Sequence, residues 1–344
     1  MAAESTQAGA FWADEELEVV ERCLGCNGNE LLDLYLGLPD RLGGVPGRWT
    51  FVRCAACDSL MLKVRPTRPA IAKAYPEDYV THAPGVAAAA RDGGNGIVWK
   101  LANGYLNSRY GARREPALAA GRLLVPLAWP VRQQLDYFFR HLPSAPGRVL
   151  DIGCGNGAFL LRAREAGWSV FGIEPDPKAA SAATAAGLDV ECVAFEDYAP
   201  RQIFDLVTLS HVVEHLHTPG DALARIFEWL KPGGEIWIAM PNPCGPGHAR
   251  FGKDWFSLDP PRHLFLPTPQ VVDQMLRGAG FEGVEFIRRG RGARSSILPS
   301  SQYLKEGSWK ATRLGVKLLA FSIDLLASLS PRFSEEIVLR ARRP

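Results

Sequence analysis

The chain changes character near residue 131, where apolar and polar positions begin to follow a regular order. Apolar runs of strand length, among them RVLDIG (148–153), WSVFGIE (168–174) and IFDLVTLSH (203–211), alternate with stretches whose apolar residues recur at helical spacing. One of these helices is predicted over PGDALARIFEWLKPGG (219–234), and EIVLRARRP ends the chain as a last strand. Strands that alternate with helices through short connections predict an α/β fold with a parallel sheet covered on both faces.

The same pattern divides the chain into five predicted segments. They are a small N-terminal module (1–65), a mixed helical and loop region (66–130), the α/β core (131–290), a helical insertion (291–332) and the last strand of the core (333–344). The middle region contains AAAARDGGNG (87–96), which is predicted to be a mobile loop.

Composition and charge narrow the function classes. The 344 residues are 47% hydrophobic and 22% charged, with a formal net charge of +2. These values are ordinary for a soluble globular protein and carry no strong field for nucleic acid. The first twenty residues lack the basic start and apolar run of a signal peptide, and no run of about eighteen apolar residues predicts a transmembrane segment. A cytoplasmic protein is therefore predicted.

Four of the seven cysteines form two C-x-x-C pairs, Cys23/Cys26 and Cys54/Cys57. Two such turns can close a tetrahedral shell around one Zn²⁺, and four thiolates leave no open position, so the predicted zinc is structural. WTFVRC (49–54) is a predicted strand that leads into the second turn. The alternatives are two disulfides or unrelated core cysteines. A redox motif is disfavoured because neither pair follows a strand in a βαβ pattern.

A glycine-rich turn, DIGCGNGAF, follows the first strand of the core. Its G-x-G-x-G spacing differs from the G-x-G-x-x-G of dinucleotide sites. Asp151 at the strand end would disfavour a diphosphate and suit an ammonium group, and Glu174 at the next strand end can accept hydrogen bonds from a ribose diol. A ligand with both groups is S-adenosylmethionine. The alternative is a structural turn whose ligand is lost or different.

These motifs resemble those of the class I S-adenosylmethionine-dependent methyltransferases. The resemblance rests on VLDIGCGNG, GIEPD, FDLVTLSHVVEHL and LKPGGEIWIAMPN, and covers roughly residues 131–290. FVRCAACDSLMLKVRPT and AYPEDYV are similar to the zinc-binding leader of a bacterial group of these enzymes. Some members of that group C-methylate nucleotide-linked deoxysugars, and others lie in pathways for surface polysaccharides or natural products. The resemblance implies a Rossmann-like seven-stranded sheet.

The resemblance also implies a set of cofactor-binding residues. Gly153 and Gly155 would line the methionine part, Glu174 the ribose and Phe195 and Glu196 the adenine, although Ala194 stands where the family usually has aspartate. The full predicted set for S-adenosylmethionine is Asp151, Gly153, Cys154, Gly155, Gly157, Glu174, Pro175, Phe195, Glu196, Ser210 and His211.

Two histidine groups are candidates for handling the acceptor's proton. In HVVEH, the side chains of His211, Glu214 and His215 would share one face if the segment were helical. Some related O-methyltransferases bind a divalent cation through E-x-x-E-H here. Replacement of the first carboxylate by His211 weakens the case for Mg²⁺, which prefers oxygen ligands. A structural or cofactor-lining role is the alternative.

The second group lies in DPPRHLFLP, after a long loop rich in glycine and proline. In the sugar C-methyltransferases a Glu-His pair handles proton transfer in a similar setting, and here Arg262 and His263 stand at those positions. His263 is the predicted base. Arg262 could hold an anionic substrate group, or both residues could pin the loop to the sheet.

The function predicted is methyl transfer to a small molecule, which is a sugar, polysaccharide or natural-product intermediate. The acceptor could be anionic or nucleotide-linked, and the methyl group could go to oxygen, nitrogen or carbon. Both a monomer and a homodimer stay open. One alternative is a zinc-ribbon RNA methyltransferase. The nearly balanced charges of residues 20–65 disfavour it, so no nucleic-acid partner is expected. Another is a binding protein on a degenerate methyltransferase fold.

Overall fold

A computed structural model describes residues 11–76, 96–307 and 314–344 of the chain. Its strands are β1 (Leu17–Val19), β2 (Leu31–Leu38), β3 (Trp49–Cys54), β4 (Leu60–Leu62), β5 (Val64–Pro66), β6 (Arg148–Ile152), β7 (Ser169–Ile173), β8 (Asp189–Glu191), β9 (Phe204–Ser210), β10 (Leu230–Pro241), β11 (Phe265–Leu266), β12 (Glu282–Phe286) and β13 (Glu336–Arg342). Its α-helices are α1 (Ile97–Tyr110), α2 (Gly121–Leu127), α3 (Trp129–Phe138), α4 (Ala158–Glu165), α5 (Pro177–Ala185), α6 (Pro219–Trp229), α7 (Pro246–Phe251), α8 (Pro269–Gly278), α9 (Leu298–Glu306) and α10 (Leu314–Leu329). Positions 87–95 of the predicted mobile loop lie outside the described residues.

The largest element is a seven-stranded sheet in the order β12-β13-β10-β9-β6-β7-β8. Strands β10, β9, β6, β7 and β8 are parallel, and β13 runs antiparallel to both β10 and β12. The chain reverses its direction of travel across the sheet between β8 and β9, so the carboxyl ends of β6 and β9 lie side by side. This confirms the predicted Rossmann-like α/β sheet, and ligands of such sheets bind at that edge.

The sheet forms because its central strands are apolar on both faces. Val149, Leu150, Val207 and Leu209 have no exposed surface, as expected for parallel strands covered by helices. Helix α8 begins where the Thr268 hydroxyl accepts from a backbone amide and a proline follows at the first helical position. Local sequence and burial therefore agree over most of the core.

The end of helix α6 differs from the prediction. The helix stops at Trp229, and Leu230 already begins β10, which shifts register between Leu230 and Glu235. Pro232 cannot donate to a helical carbonyl, and Gly233 has φ +79°. These two residues turn the chain into the strand, so the predicted helix over 219–234 is five residues too long.

The N-terminal module is built around a second sheet, in the order β11-β4-β3-β2. Strand β11 belongs to the core segment of the chain and pairs with β4, with Phe265 opposite Met61 and Leu266 opposite Leu60. The loop before β11 carries His263. The module and that loop are therefore joined by a shared sheet.

Helices outside the core cover one side of the sheet. Helix α1 packs on α2, α2 on α3, and α3 on α10 of the insertion. Gln133 Nε2 donates to the Ser328 carbonyl at 3.0 Å, which ties α3 to α10. Among the described residues, no helix is both long and apolar enough to cross a bilayer.

Candidate active site and metal centre

The glycine-rich turn presents open space at Gly155. This residue has φ +54°, which favours glycine, and a Cβ added to it would meet no atom within 4 Å. The Gly155 N–H donates to Glu174 Oε2 at 2.8 Å, and the Asp176 N–H donates to Glu174 Oε1 at 3.0 Å. Burial raises the pKa of Glu174, against the effect of these two amides. The sheet edge thus offers an uncovered backbone with a fixed carboxylate beside it.

Gly153 is required for a different reason. It has φ +66°, and a Cβ there would lie 2.6 Å from Val212 Cγ2. The turn therefore packs closely on the segment that follows β9. Glu214 lies two residues beyond Val212 in the same segment.

Asp151 is not an unpaired anion. It is fully buried, and its Oδ1 accepts from Arg140 and, at 2.9 Å, from the Thr208 hydroxyl. Its Oδ2 is buried with no hydrogen-bond partner among the described residues. Burial raises the pKa of Asp151 despite Arg140. Only Oδ2 is available for the predicted ammonium contact.

The other predicted cofactor residues are spread along the same edge. Cys154 is buried, with its Sγ 2.7 Å from the position of a Cβ on Gly172. Phe195 is also buried, and its ring packs on Trp229 at 5.3 Å and under the Arg225 guanidinium at 4.9 Å. Three residues mark the ends or starts of elements, namely Gly157 before α4, Pro175 after β7 and Ser210 at the end of β9. Glu196 is half-buried and its carbonyl accepts from Arg225.

His211 lies between two carboxylates. Its Nδ1 is 3.2 Å from Glu214 Oε1, and its Nε2 is 2.9 Å from Glu336 Oε1. Desolvation disfavours the imidazolium, but these two partners outweigh it and raise the pKa of His211 well above its ordinary value. Burial acts against ionisation of Glu336, yet Arg289 and His211 lower its pKa to about 2. A charged His211 thus fixes one oxygen of Glu214 from the side of β13.

Glu214, His215 and His263 meet at one point. One ligand atom from each of the three lies within 4.8 Å of the others, and the two imidazole rings are 4.8 Å apart at 70°. The Leu264 N–H donates to the Glu214 carbonyl at 2.8 Å, which ties the His263 loop to the strand end. Glu214 Oε2 is buried without a hydrogen-bond partner among the described residues. The structure therefore groups all three predicted catalytic residues.

Backbone carbonyls fix one ring nitrogen in each of the two histidines. His263 Nδ1 lies 2.7 Å from the Ser257 carbonyl, and His215 Nδ1 lies 3.0 Å from the Arg262 carbonyl. A carbonyl only accepts, so each Nδ1 is the donor and each Nε2 is left as an acceptor. Burial, and then the neighbouring His263, lower the pKa of His215 to about 4. His215 is therefore neutral at physiological pH and can accept a hydrogen bond or ligate a metal.

The expected helical face of HVVEH is wrong. Only Val213–His215 form a short 3-10 turn, and His211 precedes it with φ +56° while its N–H donates to the Ala239 carbonyl. His211 and His215 consequently have different surroundings. The partner of Glu214 and His215 is His263, 48 residues further along the chain.

Arg262 is fully buried and held by the protein itself. Its guanidinium donates to Asp40 at 2.6 and 2.8 Å, to Asp259 at 2.5 Å and to the Ala74 carbonyl at 2.8 Å. Burial opposes the charge on Asp40, but Arg262 lowers its pKa. These contacts favour the alternative in which Arg262 pins the loop that carries His263. They leave the guanidinium poorly placed for a substrate anion.

Three residues that contact the site were not predicted from the sequence. The Tyr75 hydroxyl lies 3.0 Å from His215 Nδ1, Arg140 pairs with Asp151, and Glu336 pairs with His211. Tyr75 belongs to AYPEDYV, so the motif drew attention to its segment but not to its contact. Nothing in the sequence marks Arg140 or Glu336, since their partners come from distant elements.

The four cysteines of the C-x-x-C pairs lie together, and all are free thiols. The Sγ atoms of Cys23 and Cys57 are 3.5 Å apart, and those of Cys26 and Cys54 are 3.6 Å apart. Sulfurs at about 2.3 Å from one tetrahedral Zn²⁺ would be about 3.8 Å apart. The two-disulfide alternative is wrong, because it requires S–S bonds of about 2.05 Å. The donor set fits a structural zinc.

This cysteine cluster rests directly on the core. The Thr268 hydroxyl donates to the Cys57 carbonyl at 3.2 Å, and the Thr268 N–H donates to the Ser59 hydroxyl at 3.2 Å. A Cβ on Gly25 would lie 2.3 Å from Val271 in α8. The cluster is thus in contact with the segment that follows His263.

Comparisons with known proteins found methyltransferases. Residues 130–285 match the family model described as a methyltransferase domain. The chain is 31% identical over 168 residues to the ubiquinone biosynthesis O-methyltransferase of Aromatoleum aromaticum, covering 45% of this chain and 72% of that relative. For the enzyme of the same name from Thiobacillus denitrificans the identity is 33% over 157 residues, covering 42% and 68%. A solved S-adenosylmethionine dependent methyltransferase from Mesorhizobium loti is similar with a TM-score of 0.42 and 18% identity, covering 61% of this chain and 98% of that chain.

Proposed function

The chain belongs to the class I S-adenosylmethionine-dependent methyltransferases, and on that premise we propose that it methylates a hydroxyl oxygen of a small molecule. The observation that carries the proposal is the convergence of Glu214, His215 and His263, in which Glu214 follows Val212, the residue that packs on Gly153 of the glycine-rich turn. Transfer to oxygen is supported by the two relatives named as ubiquinone biosynthesis O-methyltransferases. For the acceptor we retain the sugar, polysaccharide or natural-product classes indicated by the sequence.

The turn fits the methyl donor, which supplies a methyl group on a positively charged sulfonium. Gly155 leaves room for a ligand to approach the backbone. Glu174 Oε1 and Oε2 each accept one backbone amide and keep lone pairs for the ribose hydroxyls. For the ammonium group we assign Asp151 Oδ2, a buried oxygen just before the glycine-rich turn that has no hydrogen-bond partner among the described residues. His211 and Ser210 at the end of β9 would close the site.

The acceptor hydroxyl must lose its proton as its oxygen forms the new bond to carbon. We assign the proton to His263 Nε2, because its Nδ1 already donates to the Ser257 carbonyl. The carbon–sulfur bond breaks in the same step, so the products are a methyl ether, S-adenosylhomocysteine and a protonated His263. Neutral His215, with a pKa of about 4, would accept a hydrogen bond and orient the hydroxyl.

A second role for the same three residues is to hold a divalent cation. Two observations favour it. Glu214 Oε2 is a buried carboxylate oxygen with no partner among the described residues, and one ligand atom each of Glu214, His215 and His263 lies within 4.8 Å of the others. Two imidazoles and one carboxylate suit a first-row transition metal better than Mg²⁺. Such an ion would lower the pKa of a bound hydroxyl. Its ligands would be Glu214, His215 and His263.

We further propose that Cys23, Cys26, Cys54 and Cys57 hold a structural zinc and that the protein acts in the cytoplasm. Support comes from the sulfur separations of 3.5 and 3.6 Å and from all seven cysteines being free thiols, a state that a reducing compartment maintains. With four sulfur ligands the zinc has no open position for substrate. Its role would be to hold the loop that carries His263.

Methyl transfer from S-adenosylmethionine labelled with tritium on the methyl group tests the proposed function. The purified chain is incubated with separate pools of catechols and phenols, sugar nucleotides, amines and total RNA. We expect label in a hydroxyl-bearing small-molecule pool, released on cleavage of the methyl ether. Label in RNA or only in amines would contradict the proposal. Repeating the reaction after mild chelation, with the zinc content measured in parallel, distinguishes a catalytic cation from the zinc held by four thiolates.

A further inference from the structure

Helix α10 presents a continuous apolar stripe to the outside. Leu314, Leu318, Phe321, Leu325 and Leu329 are each between 43% and 71% exposed. Their spacing of three or four residues places them along one side of the helix over about 22 Å. Monomeric proteins seldom leave so continuous an apolar surface uncovered.

The orientation of α10 is fixed by its opposite side. Val316, Ala320, Ile323 and Ala327 are buried against the rest of the protein. Asp324, also buried on this side, accepts from the Ala293 N–H at 2.9 Å. The polar anchor and the buried side chains hold the stripe outward.

Two neighbouring helices add exposed apolar side chains. On α2, Leu123, Leu124 and Leu127 are at least half exposed, and Trp99 at the start of α1 is 46% exposed. Since α1 packs on α2, α2 on α3 and α3 on α10, these helices form one layer. Together with the stripe of α10 we call it the apolar helical layer.

The layer is strongly basic. The layer and the segments packed on α10 together contain 13 Lys or Arg and 4 Asp or Glu. They comprise residues 96–138, 288–307 and 314–333. The whole chain has 39 basic and 37 acidic residues, so the remainder holds 26 basic and 33 acidic ones. Basic residues stand next to the exposed apolar ones in sequence, as in Arg122–Leu123, Lys317–Leu318 and Arg332–Phe333. Not all of this excess lies at the surface, since Arg289 is buried against Glu336 and Arg114 pairs with Glu165. The exposed basic residues are Arg109, Arg113, Arg122, Arg288, Arg294, Lys305, Lys317 and Arg332, against the exposed acidic residues Glu115 and Glu306.

We propose that the apolar helical layer docks on the surface of an anionic lipid bilayer, with α10 lying in the plane of the interface. Leucine and aromatic side chains would enter the boundary of the acyl chains, while the adjacent Lys and Arg contact anionic headgroups. Helix α10 has 16 residues and is anchored through Asp324, so it lies on the bilayer and does not cross it. A symmetric dimer would use the same patch twice and place two basic faces against each other, which disfavours a second copy as the occupant. The proposal is independent of methyl transfer.

Flotation with lipid vesicles tests the docking surface on the full chain. We expect the protein to float with vesicles of phosphatidylcholine containing about 30% phosphatidylglycerol, and at least tenfold less with pure phosphatidylcholine. Raising the salt from 0.05 to about 0.5 M should weaken the binding, because headgroup attraction is screened. Equal flotation with both vesicles, or flotation with neither, would overturn the proposal.

Matched variants separate docking from unfolding. The double variant Leu318→Glu/Phe321→Glu should lower the bound fraction at least tenfold, whereas Leu36→Glu, which changes a similarly exposed leucine on β2, should bind like the wild type. The charge reversals Arg122→Glu and Lys317→Glu alter only exposed residues and should weaken binding to anionic vesicles alone. Each variant is accepted after its thermal transition matches the wild type. Docking on lipid would be refuted if the double variant bound vesicles like the wild type. It would also be refuted if the wild type bound no vesicles and sedimented as a dimer that the double substitution dissociates.

Discussion

Replacing His263 by alanine is expected to lower kcat for methyl transfer by about 10²- to 10⁴-fold, the usual contribution of a positioned general base. The side chain is largely buried, its Nδ1 donates to the Ser257 carbonyl, and one of its ring nitrogens lies within 4.8 Å of ligand atoms of Glu214 and His215. Burial and the neighbouring His263 lower the pKa of His215 to about 4, which makes His215 a poor general base near neutral pH. Initial rates at saturating S-adenosylmethionine, with the acceptor that the labelling experiment identifies, measure the effect.

Two further variants show whether the loss is chemical. His263→Asn keeps a donor for the Ser257 carbonyl but lacks Nε2. It should be as inactive as His263→Ala, and its thermal transition should match that of the wild type. His248→Asn changes a histidine of the same region that donates to the Pro243 carbonyl and lies outside the cluster, and it should retain activity within about threefold. Full activity of His263→Asn would show that His263 only supports the loop.

The second large effect is expected from Cys54→Ser, which should remove zinc from the protein. A thiolate is needed for each of the four positions, and structural zinc sites bind with about 10–16 kcal/mol of apparent free energy. Metal content should fall from about one zinc per chain to near zero. The midpoint temperature of thermal unfolding should fall by about 10 °C or more, since each kcal/mol of lost stability corresponds to about 2–4 °C.

The same substitution should also lower kcat, because the N-terminal module shares a sheet with β11, the strand that follows the His263 loop. Strand β11 pairs with β4, and Thr268 donates to the Cys57 carbonyl. Cys192→Ser, which alters an exposed cysteine outside the cluster, is the matched control and should keep its zinc and its activity. Wild-type zinc content in Cys54→Ser would contradict the site with four sulfur ligands.

The elements that could be predicted from the sequence are those specified locally. Three features depend on residues close together in the chain and lie where predicted. They are the strand that contains Asp151, the turn at Gly155 and the acidic residue Glu174 just after β7. The two C-x-x-C turns likewise predicted that their four cysteines lie together, as the structure has them. In each case a short motif contains both the side chain and the backbone that places it.

Contacts between distant segments could not be predicted in this way. Arg262 meets Asp40 across 222 residues, and Tyr75 meets His215 across 140. The HVVEH pattern suggested that His211 and His215 share one face, but Gly153 packs on Val212 and the chain turns too sharply for a helix. The role of Arg262 also depends on folding, because its two carboxylate partners, Asp40 and Asp259, surround the buried guanidinium only in the folded chain.

Isothermal titration of S-adenosylmethionine into the wild type and Glu174→Ala tests the central claim, that the turn at Gly155 and the carboxylate of Glu174 bind the methyl donor. We predict one binding site per wild-type chain, no heat from NADH, and an affinity at least about tenfold lower in Glu174→Ala, where the ribose hydroxyls lose their acceptor. Glu174→Gln, which keeps one acceptor oxygen, should lie between the two. Binding of NADH in place of S-adenosylmethionine, or an unchanged affinity in Glu174→Ala, would contradict the account.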